Sequence, residues 1–285
     1  MPYARSRVGR LFYREYGTEM KKGDPAIVLL HGFLFEGGMW RHQVEPLSEL
    51  GRVIVFDGPG HGKSEDPPEP YRLEEHVDGI AEALTELGVE RAIVVGLSWG
   101  GMLAMRFALQ HPSRTAGLAL LDTSAEIESR TDKLRATLLL FVYRHFGLPP
   151  SLFGKEIAPK LFGKKTRREH PEIALETKQM LLGFSHEGVV RTGRELAFRK
   201  SILSNVHKIT APTLVMCGSD DTMTVPARSH AIATRIAGAR LVMLDDAGHL
   251  ISLEKPNEVN SVLVPFVAET LKRTAKADAV RRHSA

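Results

Sequence analysis

The chain of 285 residues contains one cysteine, Cys217. That excludes an internal disulfide and fits a reducing compartment. Cys217 lies in the apolar run Thr213 to Gly218, so it reads as a small buried residue rather than a nucleophile. No apolar run reaches the roughly 18 residues needed to cross a bilayer as a helix. The longest mid-chain candidate, Ala136 to Val142, is stopped by Tyr143, Arg144 and His145. The opening segment, MPYARSRVGRLFYREYG, has basic residues but no apolar stretch of signal-peptide length. No membrane span and a cytoplasmic location are the resulting expectations. Neither sign of charge dominates, since 38 Lys and Arg against 34 Asp and Glu give a formal net charge of +4. Basic residues concentrate between Lys155 and Arg168, with Arg281 and Arg282 near the C-terminus. Without interleaved aromatics for base stacking, that run reads as a solvated helix face, and no nucleic-acid partner is expected. No histidines and carboxylates show metal-ligand spacing, so neither a metal nor another cofactor is expected.

What is present is a rhythm. Short apolar runs rich in β-branched residues alternate with longer amphipathic stretches, the pattern of parallel strands joined by crossover helices. The runs Ala26–Leu30, Arg52–Phe56, Ala92–Gly96, Gly117–Leu121, Thr213–Cys217 and Arg240–Leu244 read as strands, and an earlier pair around Val8–Glu15 reads as an antiparallel edge. Helices are predicted over Leu73–Leu87, Gly100–Gln110, Pro226–Ile236 and Pro256–Leu271, the last two with proline in the first turn. Between Ser124 and about Val206 the strand rhythm stops and a charged, helix-type pattern with Pro and Gly breaks replaces it. The expected organisation is an α/β core over residues 1–123 and 207–275, an inserted helical cap over 124–206, and a flexible tail over 276–285.

Three loops carry the chemistry. The strand ending at Gly96 runs into Gly96-Leu97-Ser98-Trp99-Gly100-Gly101, and a helical pattern follows. A GxSxG element alone arises by chance in roughly one chain in ten of this length at average glycine and serine usage. Between an apolar strand and a helix it means more: a serine on so tight a turn needs tiny residues two before and two after it, here Gly96 and Gly100. Ser98 is therefore a candidate nucleophile, with the Trp99 N–H at the helix start facing a developing oxyanion. A serine hydroxyl needs an adjacent base. His249 follows the strand Arg240–Leu244, and Asp221 follows the strand Thr213–Cys217, which places both at the carboxyl edge of the sheet with Ser98. Asp221 is the candidate to orient the histidine, with Asp220 and Asp122 as alternatives. The loop His31-Gly32-Phe33-Leu34 offers the Phe33 N–H as second oxyanion donor, and the His31 side chain reads as a brace for that loop. Phe33, Trp99, Leu34, Leu250, Phe141 and Phe146 would supply an apolar pocket, of which Leu34, Phe141, Phe146 and Leu250 are named as substrate-binding candidates. The histidines His145, His170, His186 and His207 read as surface or packing residues. The segment Asp57-Gly-Pro-Gly-His-Gly-Lys-Ser64 approaches the phosphate-loop pattern, but its first glycine is Asp57 and Asp66-Pro67-Pro68-Glu69-Pro70 follows instead of a helix. It reads as a structural turn.

With these motifs in place, the sequence resembles the α/β-hydrolase superfamily over nearly the whole chain apart from the cap and tail. It looks most like the haloperoxidase and 3-oxoadipate enol-lactone hydrolase branch of cofactor-free serine esterases. The resemblance implies nucleophile, acid and base at Ser98, Asp221 and His249, and a small-molecule ester or lactone as substrate. Ser98 argues against epoxide hydrolases and haloalkane dehalogenases, which carry aspartate as nucleophile, and the Phe33-Leu34-Phe35 loop departs from the more Gly-rich loop of carbon–carbon hydrolases. Carbon–carbon or enol-lactone hydrolysis stays open as an alternative. So do a perhydrolase side activity and a small-molecule sensor built on the same scaffold.

Overall fold

The computed structural model describes residues 2–18, 23–69, 71–127, 129–147, 153–181 and 185–283. Parts of the expected cap (128, 148–152 and 182–184) and the last two residues of the expected tail lie outside them.

Eight strands form one sheet: β1 (Tyr3–Ala4), β2 (Leu11–Tyr16), β3 (Ala26–Leu30), β4 (Val53–Phe56), β5 (Ala92–Leu97), β6 (Thr115–Leu121), β7 (Thr213–Gly218) and β8 (Arg240–Leu244). Their spatial order is β1-β2-β4-β3-β5-β6-β7-β8. The pairings β1/β2 and β2/β4 are antiparallel, and every pairing from β4 to β8 is parallel. The central strands β3, β4 and β5 are buried at every position, which is why they are uniformly apolar rather than alternating. Their side chains still alternate between two cores. Val28, Ile54 and Val94 pack with Leu73, Val77, Leu103 and Phe107 from α2 (Leu73–Glu86) and α3 (Trp99–Gln110). Ile27, Val53, Ile93 and Val95 face the other way, onto Trp40, Leu47 of α1 (Arg41–Ser48), and Val259, Leu263 and Val267 of the last helix. Each fully buried aliphatic chain contributes about 1.5–3 kcal/mol, so both helical layers are firmly seated.

The chain steps from β3 to β4 on one side and then to β5 on the other. The loops after β3 and β5 therefore diverge, opening a crevice at the carboxyl edge of the sheet. Between β6 and β7 the chain inserts α4 (Arg130–Phe146), a π-helical turn (Phe153–Ile157), α5 (Ala158–Leu161), α6 (Lys164–Glu169), α7 (Pro171–Leu181) and α8 (His186–Phe198). α4 packs mainly on α8. The insertion meets the core where Thr192 Oγ1 donates to the Pro59 carbonyl (3.1 Å) and accepts from Tyr71 OH (3.2 Å). After β7 come α9 (Pro226–Ala233), β8, α10 (Ile251–Glu254) and α11 (Pro256–His283).

Three sequence expectations are corrected. The N-terminal pair is Tyr3–Ala4 with Leu11–Tyr16, and Val8 falls in the connection, where Gly9 takes φ 101°. The helices α1 and α10 were not foreseen: α1 holds an internal Pro46, and α10 spans four residues, too few to show a period. The tail expected past Ala275 is instead the continuation of α11 to His283. Its residues there are mostly strong helix formers, and Arg91 pairs with Asp278 through both carboxylate oxygens. Among the described residues no helix is long and apolar enough to cross a membrane.

Candidate active site

Ser98 sits between the end of β5 and the start of α3 with φ 53° and ψ −112°. A non-glycine residue in this region carries about 1–3 kcal/mol of strain, held in place by its surroundings. The restraints are visible: the Ser98 N–H donates to the Leu121 carbonyl (2.9 Å), and Thr123 Oγ1 donates to the Ser98 carbonyl (2.6 Å). The flanking glycines are steric necessities. A Cβ at Gly96 would overlap the Gly100 backbone, and one at Gly100 would overlap the Leu30 carbonyl. The turn thus presses α3 against the end of β3 and brings Ser98 beside the loop that follows that strand.

His249 and Asp221 meet at the same edge. His249 Nδ1 lies 2.9 Å from Asp221 Oδ2, and both residues are buried. The carboxylate also accepts the N–H groups of Met223 (2.8 Å) and Thr224 (3.0 Å) on Oδ1 and the Thr224 hydroxyl (2.6 Å) on Oδ2. Burial alone would push this carboxyl up; the charge and hydrogen bond of His249, with the Thr224 donors, outweigh it and leave the group below its ordinary value. The two alternative aspartates are placed differently. Asp220 is exposed. Asp122 is fully buried, and its oxygens accept the backbone N–H groups of Gly218 (2.9 Å) and Ile251 (3.2 Å). It therefore ties the loop bearing Asp221 to the loop bearing His249. Burial, then the neighbouring Asp221 charge, raises its carboxyl well above the usual range.

The loop after β3 is braced by two histidines. Gly58 N–H donates to His31 Nε2 (2.7 Å), which puts the ring proton on Nδ1, 2.8 Å from the Gly32 carbonyl. Leu34 N–H donates to His61 Nε2 (3.2 Å), and His61 Nδ1 lies 2.9 Å from the Pro59 carbonyl. Burial lowers both rings, His61 to about 3, so they work as neutral imidazoles. Leu34 takes a left-handed φ of 65° between these holds. The Phe33 N–H belongs to the peptide whose Gly32 carbonyl accepts from His31, and it is followed by the Leu34 N–H that His61 holds. The sequence marks His31 as a brace but not His61, whose hold on Leu34 gives the Asp57–Ser64 turn its purpose. That turn is itself pinned by Asp57, which accepts from Gly37 N–H (2.8 Å), Lys63 N–H (3.0 Å) and Arg14 (3.0 Å). The Trp99 indole lies under the braced loop, its ring centroid 5.2 Å from those of His61 and His76 and 6.3 Å from that of Phe33.

The four substrate-binding candidates separate. Leu34 is half-buried in the braced loop. Leu250 is fully buried in the core beside Ile251. Phe141 and Phe146 are 58% and 74% exposed on α4, so neither is enclosed in a pocket. The helical pattern of that segment could not say which face of α4 turns inward. The inward contact is made by Leu140 and Gly193 instead: a Cβ at Gly193 would lie 2.5 Å from Leu140 and 2.9 Å from the Phe33 ring. Cys217 is buried, and burial pushes its thiol up, in keeping with an inert residue. Asp122, Cys217 and Asp221 bring ligand-type atoms within 4.8 Å of one another, but the carboxylate oxygens are already committed to amides, Thr224 and His249.

Residues 25–256 match the α/β hydrolase fold family. The chain belongs to that family. This α/β-hydrolase is 30% identical over 238 residues to the poly(3-hydroxyalkanoate) depolymerase of Ectopseudomonas oleovorans, covering 81% of this chain and 80% of that protein. Its fold superposes on a thermophilic esterase from Thermogutta terrifontis with a TM-score of 0.86 at 30% identity, covering 95% of this chain and 99% of that one. It also superposes on the enol-lactonase of Burkholderia xenovorans LB400, with a TM-score of 0.84 at 29% identity, covering 93% and 99%. The α/β-hydrolase described here is thus a hydrolase whose relatives include an esterase, a lactonase and a depolymerase.

Proposed function

We propose that this chain is a serine-dependent carboxylic ester hydrolase acting on small to medium apolar esters or lactones through an acyl-serine intermediate. The observation that carries the reading is the buried His249–Asp221 pair at the sheet edge that also presents Ser98 on a strained strand-to-helix turn. His249 takes the Ser98 proton as the hydroxyl oxygen attacks the substrate carbonyl. Asp221, on the other side of the ring, holds the proton on Nδ1 and stabilises the imidazolium that forms. The tetrahedral oxyanion is received by the N–H groups of Trp99, at the N-terminus of α3, and Phe33. Collapse expels the alcohol, protonated by His249, and leaves the acyl-serine. Water activated by the same histidine then releases the acid and restores Ser98. The insertion acts as a cap, with Leu140 and Phe33 forming its apolar contact with the site. The named activities of the relatives, which include an esterase, an enol-lactonase and a depolymerase, support an ester-type bond as the target.

The test is hydrolysis of p-nitrophenyl acetate, butyrate and octanoate by the wild type and by Ser98→Ala. A loss of about three orders of magnitude or more in kcat is expected for the variant, and rapid quenching of the wild type should trap an acyl adduct on Ser98. Retention of wild-type turnover in Ser98→Ala would sink the mechanism.

A further inference from the structure

The loop carrying His249 gives away four consecutive backbone N–H groups. Gly248 donates to Glu254 Oε1 (2.9 Å), His249 to the Leu161 carbonyl (2.9 Å), Leu250 again to Glu254 Oε1 (3.2 Å), and Ile251 to Asp122 Oδ2 (3.2 Å). Two of these acceptors lie on the core. A third, Leu161, ends α5 in the insertion. Glu254 joins the two sides, because its second oxygen, Oε2, accepts the N–H of Gly163, two residues past Leu161 (2.8 Å). Glu254 is 8% exposed. Burying a charge is costly unless it is fully hydrogen-bonded, and here three amides satisfy it with charge-assisted bonds. The backbones are in close contact: a Cβ at Gly163 would lie 3.1 Å from the Gly248 nitrogen.

We propose that Glu254 is a positioning residue that couples the helical insertion to the catalytic base: one carboxylate oxygen holds the His249 loop and the other holds the insertion at Gly163. The inference rests on the reading of His249 as the base. The seating of segment 161–163 then sets where the imidazole stands relative to Ser98, and an insertion that shifts on substrate entry carries the histidine with it. A carboxylate is required because both of its oxygens must accept. A carboxamide in its place would turn an N–H donor toward one set of amide donors and break one arm of the link.

The test uses the full-length protein. Glu254→Gln is compared with a variant in which Gly163 is replaced by glycolic acid, so that an ester oxygen stands where the N–H was and every side chain is kept. Both are expected to lower kcat on p-nitrophenyl butyrate by about 10- to 100-fold, the scale of an ångström-level misplacement of a catalytic group, with KM changed less than about twofold. Both should also shift or broaden the downfield proton resonance of the His249–Asp221 hydrogen bond. That signal needs no turnover, so it tests the coupling even if the wild type hydrolyses none of the esters, an outcome that would count against the proposed function alone. A glycolic-acid variant with wild-type kcat and an unmoved resonance would overturn the link to the insertion. If Glu254→Gln fails to fold, the glycolic-acid variant still decides the matter.

Discussion

The sheet edge and the outer helix of the insertion obey different rules. At the edge, almost every feature is fixed more than once: Ser98 by Leu121 and Thr123, Asp221 by Met223 and Thr224, the His249 loop by three acceptors that take four of its N–H groups, and the loop after β3 by two neutral histidines. On α4 the reverse holds. Leu134, Leu138, Phe141 and Phe146 stand 72%, 62%, 58% and 74% exposed, and Tyr143 is the helix's buried side chain. Chemistry needs groups held to fractions of an ångström, so the edge tolerates little change. The outer face of the insertion carries no such constraint, and substitutions there are free to alter what the protein meets without altering what it does.

The largest break in this comparison should come from Asp221→Asn. The carboxamide keeps the size but lets His249 take the wrong tautomer, and kcat should fall by about 10⁴-fold, with the melting temperature measured alongside to show that the fold survives. Retained activity would point to Asp122 as the acid, since it lies within 4.8 Å of Asp221. Gly100→Ala should be comparably severe for a different reason, because its Cβ has no room against Leu30; low soluble yield together with lost turnover is the expected result.

These residues were legible in the sequence because close approach leaves a composition signature. Gly96 and Gly100 flank Ser98 because nothing larger fits at either, and Asp221 and His249 follow strands whose apolar runs are unmistakable. The strands β3 to β7 are legible to within two residues for the same reason: burial on both faces forces nearly uninterrupted apolar runs. The apolar run of β8 is legible too, although most of its residues are half-buried or exposed. What was not legible depends on contacts between segments far apart in the chain. Glu254 bonds Gly163, 91 positions away, and His61 holds Leu34 from a turn that read only as a failed phosphate loop. Phe141 and Phe146 were misplaced because periodicity gives a helix its stripe but not the partner that stripe faces. Gly193, which closes on both Leu140 and Phe33, carries no sequence mark of it.

A smaller effect belongs to the buried histidines of the edge. His61 and His76 are buried under the sheet edge, and burial, with the nearby His31, lowers each to about 3. The folded state keeps them neutral, whereas the unfolded chain protonates them near the ordinary value of about 6.5. Stability is therefore full above about pH 6.5 and is lost as pH falls toward 3, by about 2 kcal/mol per ring at pH 5. The insertion's His145, His170 and His186 are exposed instead. Urea melts between pH 5 and 8 should show the decline in the wild type and a shallower slope in His76→Leu. Equal slopes in the two proteins would assign the acid sensitivity elsewhere.

Gly193→Ala probes the seam between the regions. The added methyl meets Leu140 and Phe33 at 2.5 and 2.9 Å, close enough that one of these side chains must move. Leu140 belongs to the loosely constrained helix, so it is the one that gives way, and the Phe33 backbone stays in place. Turnover of p-nitrophenyl acetate should then change less than about threefold, while octanoate, which needs the apolar space under the insertion, loses about tenfold or more in kcat/KM through KM, the pattern of lost ground-state binding. An equal loss on both esters would mean that the methyl displaced the Phe33 amide itself. In that case the constraint would run outward from the edge into the insertion, and the boundary between the two regions would lie on α8 rather than at Phe33.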